Sequence, residues 1–235
     1  FLETHGAEDG ARVMTESIQI LLAMQKEGTA RLDPDCPAFH VRFDSGIFYR
    51  ELRFFHENYL GRVASACSGL EKELDDFYRL LADELSTYST VFCHRDFHVD
   101  NLYFHKGRVY VIDFQDARIG PPAYDLASLL TDREMGTLLG EAVREALFGE
   151  YLDGMGVDRA AFERPYALAA AQRCLKATGT FGFQTFVRGN ASYSRFIPAT
   201  LAEFSSAVTK LPEHAAIGRK LLELIPPGAR LPATR

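Results

Sequence analysis

A chain of 235 residues with 47% apolar and 25% charged residues has room for a sizeable core in one large domain or two small ones, and its composition excludes disordered and fibrous classes. Lys+Arg 26 against Asp+Glu 32 leaves a net charge of −6, so no basic footprint exists for gripping a nucleic-acid backbone. A small anion held locally by one cation remains compatible with that balance.

The first periodic segment runs from Glu8 to Lys26, where Val13, Met14, Ile18, Leu21 and Leu22 recur at three and four residues and predict a helix with one buried stripe. Gly28 supplies the expected stop. Ahead of it, Phe1 and Leu2 read as the end of a strand. After a polar stretch from Arg31 to Asp44, Asp44 or Ser45 can cap a second helix through Leu60, with Phe48, Leu52, Phe55 and Tyr59 on one face. Ser68 and Glu71 then have the spacing of a capping box, opening a helix whose stripe is Leu70, Leu74, Phe77 and Leu81.

The pattern changes at Thr90. Val91–Cys93, Leu102–Phe104 and Val109–Ile112 are short apolar runs, and His105-Lys106-Gly107-Arg108 between the last two is a hairpin turn. Beyond Pro121-Pro122 the chain returns to helix over Tyr124–Thr131, Gly136–Tyr151, Asp158–Thr178, Pro198–Thr209 and Glu213–Leu224. Gly179 to Ser194 reads as a loop and Pro226 to Arg235 as a peripheral tail. The expected fold class is α+β: a mostly helical body interrupted by one small hairpin.

The chemistry concentrates at that interruption. Asp96 and Asn101 precede the hairpin, and Asp113 directly follows its second strand. A hairpin folding back on itself brings the position after it close to the loop before it. Asn101 and Asp113 then offer hard oxygen ligands suited to Mg2+, and Asp96 is a carboxylate able to accept a hydroxyl proton or to orient the hydroxyl during phosphoryl transfer.

The string His94-Arg95-Asp96-x4-Asn101, followed by Asp113-Phe114-Gln115, resembles the catalytic loop and metal-binding pair of the protein-kinase-like fold, in the form used by aminoglycoside phosphotransferases and choline kinases. Gln115 in place of glycine, the short interval from Asn101 to Asp113, and Tyr124-Asp125-Leu126-Ala127 fit that branch. Residues 49–60, 171–182 and Ile197-Pro198-Ala199-Thr200-Leu201 are further similar to bacterial anomeric kinases of N-acetylmuramate and N-acetylglucosamine. The resemblance implies an ATP- and Mg2+-dependent kinase acting on a hydroxyl of a small molecule, with an amino sugar preferred over choline, homoserine or an aminoglycoside, and a non-catalytic binding module as the remaining alternative. Residues 1–7 match the hinge end of a nucleotide lobe, with Glu3 among the nucleotide-binding positions, and residues 8–235 match the helical catalytic and substrate-binding lobe. The glycine loop, lysine and glutamate of the nucleotide lobe have no counterparts here, which implies that this chain alone transfers no phosphoryl group.

By the same resemblance His94 and Asp125 brace the catalytic loop. His98 and Asp116 lie close enough to the centre to line an acceptor pocket, Glu57 is a candidate ligand for a sugar hydroxyl, and Arg173, a cation among alanines, is suited to an anionic substituent such as a lactyl carboxylate. Cys36, Cys67, Cys93 and Cys174 lack CxxC spacing and are expected to be free thiols. The start of the chain lacks the features of a signal peptide, and no run approaches the roughly 18 apolar residues of a membrane span. The expected compartment is the cytoplasm.

Overall fold

In the computed structural model, residues 2–31, 33, 35–64, 69–133, 135 and 140–229 are described, the side chains of 2–9 and 229 excepted. They form two compact units, one built from Phe1–Phe43 with Tyr88–Tyr166, the other from Asp44–Thr87 with Ala167–Arg235.

In the first unit, helix α1 spans Leu2–Ala23 and buries the expected stripe of Val13, Met14, Ile18, Leu21 and Leu22. Leu2 and Glu3 are helical, not strand: Leu, Ala and Glu favour helix over this stretch, and no strand among the described residues pairs with them. Nor does Gly28 stop the helix. Met24–Gly28 widens into a π turn that runs on into Thr29, and Gly28 lies against the Phe92 ring, where a Cβ would make an ordinary contact at 3.7 Å. The Thr29 hydroxyl then accepts the Phe92 backbone N–H at 2.9 Å, tying the helix end to strand β1.

Strand β1 is Val91–Cys93, β2 Leu102–His105, β3 Arg108–Val111 and β4 Arg118–Gly120. The β2–β3 pair is the expected hairpin, with His105 opposite Arg108. Lys106 and Gly107 between them have φ of 48° and 79°, the positive pair that a type I′ turn needs to match strand twist. This hairpin lies on α1: the Glu16 carboxylate accepts the Val109 N–H at 3.0 Å, and the Arg12 guanidinium sits 5.6 Å over the Phe104 ring. Strand β4, absent from the sequence expectation, pairs antiparallel with β1, Phe92 opposite Ile119. Three residues ahead of a Pro-Pro break are too few to show alternation.

The next helix of this unit spans Pro122–Leu130 and is buried on every side from Ala123 onward. Gly140–Met155 follows; the expected start at Gly136 lies outside the described residues. It packs on α1, where Leu22 covers Gly154 and Lys26 Nζ donates to the Gly154 carbonyl at 3.0 Å.

The second unit opens with α2, Ser45–Phe55. Asp44 caps it, accepting from the Ile47 N–H at 2.8 Å, and a π turn at His56–Leu60 extends it. Helix α3, Glu71–Thr87, buries Leu74, Phe77 and Leu81; Ser68 lies outside the described residues, and Glu71 accepts from the Gly69 N–H. In chain order Pro122–Leu130 is α4, Gly140–Met155 α5 and Arg159–Gly182 α6. The first turns of α6 belong to the first unit and those from Ala167 to the second.

The expected loop after Thr178 is instead helical. α6 continues to Gly182, then a π turn at Phe183–Val187 and a 3-10 segment at Ala191–Phe196. Gly179 and Gly182 are there for packing: a Cβ on Gly179 would fall 2.6 Å from Phe55 Cα, and one on Gly182 2.6 Å from the Asn58 carbonyl oxygen. Their glycine content looked like loop because backbone contact with α2 is invisible in sequence. Helices α7, Ile197–Thr209, and α8, Pro212–Leu224, complete the unit.

Candidate active site

The segment from His94 to Asn101 is irregular backbone, and a buried carboxylate at the start of α4 holds it in place. Asp125, fully buried, accepts the backbone N–H of His94 at 2.7 Å and of Arg95 at 2.9 Å. Arg95 needs that support because its φ is 77°, a left-handed conformation that costs a side-chain-bearing residue roughly 1–2 kcal/mol. Its guanidinium lies 4.9 Å over the Phe43 ring and 3.4 Å from Asp116, so a carboxylate is its partner. His94 is buried, with Nε2 donating to the Ile112 carbonyl at 3.0 Å. Burial lowers its pKa, keeping the ring neutral and the loop fastened to the end of β3.

The two halves of the polar cluster meet at the mouth of the hairpin. Ile112 N–H donates to the Asn101 carbonyl at 3.0 Å, so Asp113 emerges one residue past a bond to Asn101. The Asn101 amide nitrogen donates to the Asp96 carbonyl at 2.8 Å. That bond fixes the side-chain orientation and leaves the amide oxygen outside it. Asp113 is exposed with φ of 69°, a dihedral that Asp tolerates better than most residues, and its carboxylate accepts from Gln115 Nε2 at 2.7 Å. Half-buried Asp96 lies five residues ahead of Asn101 in the loop. One amide oxygen and one exposed carboxylate, both hard and with room for water or phosphate oxygens, fit Mg2+.

The remaining candidates are placed as follows. His98 shapes the same loop through its backbone, donating to the Asp96 carbonyl and accepting from the Asn101 N–H. Asp116 is exposed and set between Arg95 and Arg118. In the second unit, Glu57 is exposed in the π turn after α2, 3.8 Å from Arg53, and Arg173 is half-buried on α6. The side chain of Glu3 lies outside the described residues. Cys93 is a packing thiol, wholly buried and pushed well up in pKa by that burial. Elsewhere in the second unit Glu84, Glu213 and His214 bring ligand atoms within 4.8 Å of one another, a juxtaposition their sequence spacing did not show.

Sequence reasoning left Gln115 without a role, although its departure from glycine marked it. It also passed over the exposed apolar side chains beside the cluster, Tyr103, Tyr110, Ile112 and Phe114. Their strand alternation puts Tyr103 and Tyr110 directly opposite each other.

This fold and loop define a protein-kinase-like phosphotransferase. The Phosphotransferase enzyme family matches residues 7–165, and the chain belongs to that family. It is 29% identical over 233 residues to the N-acetylmuramate/N-acetylglucosamine kinase of Pseudomonas putida, covering 95% of this chain and 66% of that protein. The enzyme of the same name from Pseudomonas aeruginosa is 30% identical over 227 residues, covering 91% and 63%. The chain thus spans about two thirds of the length of these curated relatives. Among solved structures, choline kinase from Cryptosporidium parvum shares the fold, with a TM-score of 0.53 at 16% identity over 91% of this chain and 68% of that one. No helix among the described residues is long and apolar enough to cross a membrane.

Proposed function

We propose that the protein carrying this chain transfers the γ-phosphoryl group of ATP to a hydroxyl of an amino sugar, N-acetylmuramate or N-acetylglucosamine. The observation that carries the reading is the linkage of Asp96, Asn101 and Asp113 through the Asn101–Asp96 and Ile112–Asn101 bonds. Asp96 aligns the acceptor hydroxyl and takes its proton as the bond to phosphorus forms. Asn101 and Asp113 would hold Mg2+, which when bound offsets charge on the ATP phosphates. Asp125 and His94 keep the loop in the one backbone path that presents Asp96. Tyr103 and Ile112, apolar and exposed beside the metal ligands, offer a surface on which a nucleotide base can lie.

The acceptor class rests on the names of the relatives and on residue types. Arg173 suits the lactyl carboxylate of muramate, and Glu57, His98 and Asp116 suit sugar hydroxyls. By itself the 235-residue chain is proposed to bind ATP weakly, since its residues include no glycine loop and lysine matching the nucleotide lobe. Phosphate transfer by the full-length protein to N-acetylmuramate, N-acetylglucosamine, choline, homoserine and kanamycin tests the acceptor, and transfer to kanamycin alone overturns it. Asp96→Asn tests the mechanism: turnover should fall by about 100-fold or more with ATP affinity unchanged, and near-wild-type turnover removes Asp96 from its role.

A further inference from the structure

Helices α3 and α8 of the second unit meet at a cluster that the chemistry above leaves unused. Glu84, near the end of α3, and Glu213 and His214, in the first turn of α8, offer three ligand atoms that lie within 4.8 Å of one another. His214 is only 5% exposed, Glu84 is half-buried and Glu213 is exposed. A buried imidazole is thus joined by two carboxylates that water can reach, which sets the cluster apart from a solvated acidic patch.

The imidazole is held in place by its surroundings. Its ring lies 5.5 Å from the Phe77 ring, and its backbone N–H donates to the Leu211 carbonyl at 2.9 Å. Phe77 and Glu84 are two turns apart on α3 and share a face, so the face that packs the ring also carries the first carboxylate. The Lys220–Glu73 ion pair at 2.7 Å joins the same two helices farther along and keeps the seam in register. Nε2 stands 3.7 Å from Glu213 Oε1. That is beyond a hydrogen bond, and close to the roughly 3.3–3.6 Å that separates two donors on one tetrahedral ion with bonds of about 2.0–2.2 Å. Two carboxylates and a neutral imidazole balance one divalent cation. Mg2+ and Ca2+ prefer all-oxygen shells, whereas a mixed nitrogen and oxygen set suits Zn2+. Pro212 at the start of α8 has no N–H, which removes part of the positive potential that a helix start sets against a cation.

We propose that Glu84, Glu213 and His214 form a Zn2+ site that clamps the start of α8 to the end of α3, with water completing the shell. The site lies wholly within the second unit, takes no part in phosphoryl transfer and stands independently of the amino-sugar reading. In the full-length protein, stripped of metal by a chelator and free of ATP, calorimetry should show Zn2+ binding that an excess of Mg2+ does not displace. The thermal midpoint should rise by about 5 °C or more when Zn2+ stands about a hundredfold above its dissociation constant. Glu84→Gln keeps the shape and removes an anionic ligand, and should weaken Zn2+ binding at least about tenfold, the least that even an outer-shell loss costs, with the metal-free midpoint held.

His214→Gln should abolish binding; because the ring packs on Phe77 and that variant can fail to fold, Glu213→Gln serves as the second test and should weaken binding as Glu84→Gln does. Co2+ in place of Zn2+ gives a readout of the ligands themselves: absorption from nitrogen and oxygen ligation, lost in Glu84→Gln, is expected. Absence of Zn2+ binding overturns the inference. So does binding of equal strength in wild type, Glu84→Gln and Glu213→Gln, which places the ion elsewhere, and so does displacement by Mg2+. A thiolate charge-transfer band with Co2+ assigns the metal to a cysteine and overturns it as well.

Discussion

Replacing Asp125 with alanine removes the one side chain that accepts both backbone amides at the start of the catalytic loop, at 2.7 and 2.9 Å. Each amide left without a partner in the interior costs about 1–3 kcal/mol. Arg95 would also keep its left-handed φ of 77° without the bond that offsets it, unless the loop relaxes and recovers part of the loss. The net destabilisation should be about 3–5 kcal/mol, a large share of the roughly 5–15 kcal/mol that typical domains possess. Urea unfolding should show the midpoint falling at constant slope, and turnover should fall with it as Asp96 loses its fixed position. Asp125→Asn retains one acceptor oxygen and should lose about half as much. A loss below about 1 kcal/mol for Asp125→Ala, with turnover retained, would refute the bracing role.

Asp113→Asn keeps shape and suits the positive φ, yet removes the carboxylate proposed to hold Mg2+; turnover should fall by more than about tenfold, the least that even indirect disturbance of a metal ligand costs, with the thermal midpoint held. Normal turnover across a magnesium titration would make Asp113 a loop residue only. Gly179→Ala puts a methyl group against Phe55 backbone and should destabilise by about 1–3 kcal/mol, whereas Gly149→Ala, with nothing within 4 Å of its Cβ, should stabilise by up to about 1 kcal/mol through helix propensity. Thermal unfolding of the pair decides, and equal shifts would contradict the packing argument. Burial lowers the pKa of His94 and of His56 below 6.5, so the unfolded chain binds more protons as pH falls. Stability should be whole above about pH 6.5 and decline below it, and urea midpoints between pH 7.5 and 5 should show a shallower decline in His94→Gln.

The sequence by itself determined the interrupted helical architecture and singled out Asp96, Asn101 and Asp113 as candidates, because helical periodicity, hairpin turn chemistry and the His94-x-Asp96-x4-Asn101 spacing are all local patterns. It narrowed the α2 cap to Asp44 or Ser45, and found the strand preceding Asp113, for the same reason. Tertiary structure alone decided what those residues touch. That Arg95 is left-handed and held by Asp125 across some thirty positions of chain, that β4 closes on β1, and that Gly179 and Gly182 serve packing follow from contacts between distant segments, which no window of sequence contains. The convergence of Glu84, Glu213 and His214 belongs with them, since residues of α3 and α8 share a seam only once both helices have packed.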